Sequence, residues 1–247
     1  MTSTMKGIAA LLLAGVSLGA PAQDETQTRE FIGQLGSRSA LLVLHARRAG
    51  DGSWQLAGEY LLLGTLSRRY FDGEASPEIG VTTLREGTTP ILFGRSPSAE
   101  LRGSLRPGSF RGMRYGPGGQ ERERFEFSEE FPAMSDYSAT VRCDARDGNY
   151  ASSLAYSVEA GRLKSLEWRS KVEPSGHVCN LNGAEQQLSK GGLRFVAGRC
   201  SVTLRDLGEY VRAAAENCSE QCGSQAYFEA MLIDKRGACR LLRPESR

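Results

Sequence analysis

All six cysteines of the 247-residue chain lie in its second half, at Cys143, Cys179, Cys200, Cys218, Cys222 and Cys239. An even set confined to one stretch can staple that stretch, and it leaves the first half to fold on burial and backbone pairing alone. Whether the sulfurs oxidise depends on compartment, which the N-terminus addresses. Lys6 precedes an apolar run from Ile8 to Leu18 that ends in Ala20-Pro21-Ala22, a small-x-small site, so cleavage is expected between Ala22 and Gln23. The run spans about a dozen residues, short of the roughly twenty that cross a bilayer core, and no cysteine sits at the junction to carry a lipid. An exported chain of this kind is expected to form three disulfides, in pairings that spacing alone does not choose. Zinc is the weaker reading, because the short paired spacings of structural zinc sites are missing and the two histidines, His45 and His177, are far apart. Neither a metal nor a cofactor is expected.

Charge narrows the partner. The whole chain carries a formal +2, and removal of residues 1–22 takes one lysine and no acid. A nucleic-acid binder normally shows a strong basic excess, so nucleic acid is not an expected partner. No later apolar run approaches about eighteen residues, so stable membrane insertion is not expected either.

The cysteine-free half alternates as strands do. Ala40 to Arg47 is an apolar run, and Asp51-Gly52 supplies the turn that returns Trp54 to Leu63 antiparallel. Leu101 to Leu105 and Ser109 to Met113 flank Arg106-Pro107-Gly108, where Pro fixes one turn dihedral and Gly accepts a positive φ. Arg124-Phe125-Glu126-Phe127 alternates charged and aromatic residues, as a strand with one wet face must. Ser128 to Asp136 shows little periodicity and reads as a linker. Beyond it, Tyr137 to Cys143, Ala151 to Val158, Leu163 to Val172, His177 to Leu181, Leu193 to Val196 and Cys200 to Leu204 continue the strand pattern. Gly208 to Asn217 suits a helix by its alanines and a strand by Tyr210 and Val211, and strand is favoured. Ser224 to Asp234 is expected to begin as a short helix and end as a strand. The fold class is therefore all-β, an antiparallel meander closed as barrel or sandwich, in two domains of residues 23–133 and 134–247, the second disulfide-rich with room for one short helix.

Several of these segments resemble a known pattern. Phe31-Ile32-Gly33-Gln34-Leu35-Gly36, Leu41 to Leu44, Gly58-Glu59-Tyr60, Leu101-Arg102-Gly103-Ser104-Leu105 and Phe110-Arg111-Gly112 are similar to secreted β-rich bacterial envelope proteins of unknown function. Cys179 with Gly183, Cys200 to Leu204 and Cys218-Ser219-Glu220-Gln221-Cys222-Gly223 resemble a cysteine-rich, periplasmic lysozyme-inhibitor-like module. The chain departs from the first pattern where it ends the last hairpin in Gly-x-Trp, because Met113-Arg114-Tyr115 stands there instead. The resemblance implies binding or inhibition of cell-wall-cleaving enzymes and assigns no individual functional residue.

Beyond the expected leader catalytic strings are missing: there is no P-loop, no His-Glu-x2-His and no Gly-x-Ser-x-Gly. Any Ser-His-Asp arrangement must use His45, which sits in an apolar strand, or His177, which follows a loop, and both read as structural. Cys218-x3-Cys222 lacks the spacing of a redox pair and reads as structural bridging. Alternating acids such as Glu121 and Glu123 read as a solvated strand face rather than a glycosidase pair.

Binding surfaces carry more. Arg111 to Gln120 places Arg111, Arg114 and Tyr115 beside a glycine-rich turn, where a flexible loop would present cation and aromatic together, and Arg68, Arg69 and Tyr70 repeat the mixture. Arg and Tyr are frequent interface anchors, and a basic loop suits an acidic cleft. Asn217 to Gly223, pinned at both cysteines, is a second candidate loop. The expectation is a periplasmic or secreted, non-enzymatic binding protein with a protein partner, in the form of an inhibitor or immunity protein against a cell-wall hydrolase. An envelope structural or assembly protein is the alternative, and a cell-wall-processing enzyme comes behind both.

Overall fold

The computed structural model describes residues 26–75, 80–88, 97–183, 185–187, 189, 191–223 and 226–242. The expected leader over residues 1–22 and its cleavage site lie outside them. The first half forms eight antiparallel strands in sequence order: β1 (Thr26–Leu35), β2 (Arg38–Arg48), β3 (Trp54–Leu62), β4 (Ser67–Ala75), β5 (Val81–Gly87), β6 (Ala99–Arg106), β7 (Ser109–Tyr115) and β8 (Arg122–Ser128). β8 pairs back onto β1, from Ile32↔Ser128 to Leu35↔Phe125, and closes the barrel. The Asp51 carboxylate accepts bonds from the backbone N–H and hydroxyl of Ser53, which sets the β2–β3 turn as the sequence anticipates.

Each strand puts alternate residues inside. Phe31 and Leu35, Leu42 and Leu44, Leu56 and Tyr60, Phe71, Leu84, Leu101, Phe110, Phe125 and Phe127 fill the lumen as a continuous core, as eight strands leave room for side chains and little else. Gly103 and Gly112 face each other across β6 and β7. A Cβ on either would come within 2.9 Å or less of Phe125 Cζ, so the glycine pair is the seat of that ring.

One end of the lumen is polar. Glu86 is fully buried; Arg114 Nε and Nη2 donate to its two oxygens at 2.7 and 2.9 Å, and Tyr60 Oη donates at 2.8 Å. Burial, with Glu86 beside it, raises the Tyr60 phenol well above its ordinary value, and the hydrogen bonds to Glu86 hold the Arg114 guanidinium protonated. Arg114 Nη1 also reaches Glu123 at 3.2 Å, which Arg38 contacts at 2.8 Å. The buried carboxylate is satisfied by a bidentate partner plus a phenol, the condition under which such a charge is tolerated.

The second half builds two sheets. β9 (Ala139–Asp147), β10 (Tyr150–Glu159), β11 (Arg162–Val172) and β12 (His177–Asn182) form one; β13 (Glu185–Gln187), β14 (Leu193–Ala197), β15 (Cys200–Asp206), β16 (Tyr210–Glu216), β17 (Met231–Asp234) and β18 (Cys239–Leu241) form the other. Leu154, Tyr156 and Trp168 from the first sheet and Phe195, Val202, Val211 and Met231 from the second share one core. The indole N–H of Trp168 donates to Ser152 Oγ at 2.9 Å, so its single polar atom is satisfied inside. Cys143–Cys239 ties β9 to β18, Cys179–Cys222 ties β12 to the helical turn α1 (Ser219–Cys222), and Cys200–Cys218 anchors the start of that turn to β15.

The favoured strand over Gly208 to Asn217 is β16, whose Val211 and Ala213 are fully buried. The expected short helix lies upstream of Ser224, between Cys218 and Cys222, where the two disulfides gather the chain into one turn closed by Cys222 N–H to Cys218 O at 3.0 Å. The expected linker is not slack. Phe131 and Met134 within it are buried, and Phe131 joins Leu41, Leu61, Leu63, Leu207 and Leu232 in an apolar cluster between the barrel wall and the six-stranded sheet.

Two outcomes follow. Replacing Glu86 by Leu removes the bidentate partner of Arg114, leaves it only the longer contact to Glu123 among the pairs described, and lowers unfolding free energy by about 3 kcal/mol, while Glu86→Leu with Arg114→Met recovers at least about half of that loss, measured by denaturant melts. Opening Cys143–Cys239, which spans 96 residues, destabilises more than opening Cys200–Cys218, which spans 18, by about 1–2 kcal/mol on loop entropy, read from melts of the paired Cys→Ser variants.

Candidate partner-binding face

The outward residues of β6, β7 and β8 fall into register as a lattice. Ser104, Arg111 and Glu126 make one row, Arg102, Met113 and Arg124 the next, and Glu100, Tyr115 and Arg122 the third. Four guanidiniums therefore surround Met113 and Tyr115 with two carboxylates among them. Arg102 pairs with Glu100 at 2.5 Å, and Glu126 is shared by Arg111 at 3.1 Å and Arg124 at 3.5 Å. The arginines stay open to solvent, with 59, 63 and 76% of the side chain exposed at Arg102, Arg111 and Arg124. Such exposed pairs add little to stability, because solvent screens them.

Tyr115 stands between two cations, with Arg102 and Arg122 at 5.1 and 5.8 Å from its ring centroid. That arrangement holds an aromatic ring half-buried on an otherwise wet wall. Beside it the chain turns through the 3-10 segment Pro117–Gly119, where Gly118 and Gly119 have φ of 71° and 72°. A Cβ at either would touch nothing, so backbone conformation and not space demands glycine. The turn and the strand ends enclose a recess of about 410 Å3 walled by Arg102, Tyr115, Pro117 and Arg122. Arginines on strands often guard an open sheet edge against pairing; here the barrel is closed and these strands have no free edge.

The six residues nominated from the sequence part company. Arg111 and Tyr115 lie on this face. Arg114 points inward to Glu86, and Arg69 Nε lies 3.8 Å from the same carboxylate. Arg68, paired with Glu59 at 3.4 Å, and the buried Tyr70 line a groove shared with Arg212, Ala230 and Leu242 of the second half. The stretch expected as a flexible loop is strand as far as Tyr115, and the alternation of β7 separates Arg114 from its neighbours. Arg102, Arg122, Arg124 and Met113 were not nominated. Part of their signal is present as alternation, with arginine at both outer positions of Arg122-Glu123-Arg124 and Arg then Met at those of Arg111-Gly112-Met113, and it becomes a surface only when three strands are aligned.

Among the described residues no group of three or more His, Cys, Asp or Glu side chains is placed to hold a metal ion. His45 Nδ1 lies 3.0 Å from the Thr28 hydroxyl on the barrel exterior, and His177 opens β12. Among the described residues no helix is long and apolar enough to cross a membrane. Comparison with family models, with curated proteins and with solved structures finds no match to the chain.

Proposed function

We propose that the protein is an exported binding protein that docks on an acid-lined surface of a protein partner through the outer face of β6, β7 and β8. The observation that carries this reading is the lattice of Arg102, Arg111, Arg122 and Arg124 around Met113 and Tyr115 on a wall left uncovered by the described residues. Arg, Tyr and Met are enriched at the cores of protein interfaces, and a strand-borne set loses little entropy on docking. The formal excess of two positive charges on the face, in a chain that is itself near neutral, favours an acidic counterpart and speeds encounter.

A cell-wall hydrolase supplies such a counterpart, since glycoside-cleaving enzymes carry paired carboxylates in an open cleft. Inhibition then needs no chemistry from this chain: the recess beside Tyr115 receives an acidic rim residue while the arginines meet the cleft. The three disulfides fit an oxidising environment, and the proposed setting is the periplasm or the exterior after removal of residues 1–22.

The test is titration calorimetry and a wall-lysis assay with a panel of purified lysozymes and lytic transglycosylases. The expected result is a one-to-one complex that blocks lysis, weakens with added salt, and is lost at least tenfold in Arg111→Glu/Arg122→Glu while the melting temperature stays unchanged. No complex with any enzyme of the panel, or one indifferent to the charge reversal, overturns the reading.

A further inference from the structure

The seam between the two domains holds a charge imbalance that the fold does not explain. Glu30, on the outer side of β1, receives Arg212 Nη2 at 2.6 Å on one oxygen and Arg205 Nη1 on the other. Two guanidiniums thus share one carboxylate. Arg205 places its second face over the Phe131 ring at 4.3 Å, but Arg212 has no such relief and is 8% exposed. The Nε–H groups of both arginines are buried without a hydrogen-bond partner. A buried donor left unmade costs about 1–3 kcal/mol, more on a charged group, so paired orphans beside a cation in excess mark a missing acceptor.

Arg212 also forms part of the wall of a groove of about 310 Å3 between the outside of β2, β3 and β4 and the six-stranded sheet. The other ionic groups of that groove are paired off: Glu59 with Arg68 at 3.4 Å, and Asp72 with Arg85 at 3.0 Å. His45 bonds to Thr28. Arg212 is the cation of this groove whose carboxylate partner is shared with a second guanidinium. Burial lowers its proton affinity, against the pull of Glu30, with repulsion from Arg205 and a smaller attraction from Glu216.

We propose that this interdomain groove binds a small organic carboxylate with an apolar body, its carboxylate accepting from the Arg212 guanidinium and its body lying against Leu41, Val43, Leu61, Tyr70 and Leu242. A planar carboxylate matches the guanidinium edge. The volume is at the lower end of ligand sites, about 300–1,000 Å3, and domain interfaces are a preferred place for them. The site lies on the barrel wall covered by the second domain, away from the arginine face, and stands or falls independently of it.

Calorimetry on the full chain with decanoate, decanol and acetate tests the assignment. Decanoate is expected to bind once per chain and to raise the melting temperature, with decanol and acetate each at least roughly tenfold weaker, because one lacks the charge and the other the body. Arg212→Met is expected to erase the preference for decanoate over decanol. Should that variant not fold, Leu242→Trp, which narrows the groove from a half-buried position, is expected to weaken decanoate at least roughly tenfold with a native near-ultraviolet spectrum. Arg111→Glu/Arg122→Glu leaves decanoate binding unchanged. Absence of saturable decanoate binding, equal affinity for decanol, or undiminished affinity in folded Leu242→Trp overturns the proposal.

Discussion

Pairing of β8 with β1 decides which side of every barrel strand meets water. Side chains alternate with a period of two, so once Gly33 is set against Phe127 and Gln34 against Glu126, the parity of the whole meander follows from strand to strand. Phe110, Gly112 and Arg114 then face the lumen, and Arg111, Met113 and Tyr115 face out. A slip of one residue would exchange the two sets. It would put Arg111 among the phenylalanines and leave Glu86 without its bidentate partner, so the buried ion pair is costly to lose and helps hold the register that displays the arginine face. The polar end of the lumen and the exposed lattice are therefore two consequences of one constraint.

The second half of the chain reaches order by other means. Its two sheets enclose a core around Trp168 and are cross-linked by three disulfides, which restrict the unfolded chain and let short strands such as β17 and β18 persist. The six-stranded sheet packs on the barrel through Leu41, Leu61, Leu63, Phe131, Leu207 and Leu232. The wall of β1, β2 and β3 is thereby covered, while the wall of β6, β7 and β8 is left open. Packing of the second half on the barrel thus selects which part of a continuous barrel surface remains open to solvent, and it creates a seam where Arg205 and Arg212 compete for Glu30.

Much of this architecture was legible in the residues because its determinants are local. Asp51-Gly52 and Arg106-Pro107-Gly108 sit at hairpin turns, and Val211 with Tyr210 outweighs the alanines of β16 because that strand is buried on both sides, by its own core and by the barrel. What the sequence did not disclose depends on contacts distant along the chain. Arg114 looks like its neighbours until Glu86, 28 positions earlier, is brought opposite it inside a closed barrel. Phe131 reads as part of a polar connector until Leu41 and Leu232 meet around it. The lattice itself requires three registers to be known at once, so Arg111 and Tyr115 could be singled out while Arg102, Arg122 and Arg124 could not.

The most direct test of the parity assignment is arginine modification of the native protein by phenylglyoxal, followed by peptide mass mapping over time. Arg102, Arg111, Arg122 and Arg124 are predicted to react as freely as in the unfolded chain, and Arg114 at least roughly tenfold more slowly until the barrel is opened by denaturant. Equal reactivity of Arg114 and Arg111 in the folded protein would contradict the account.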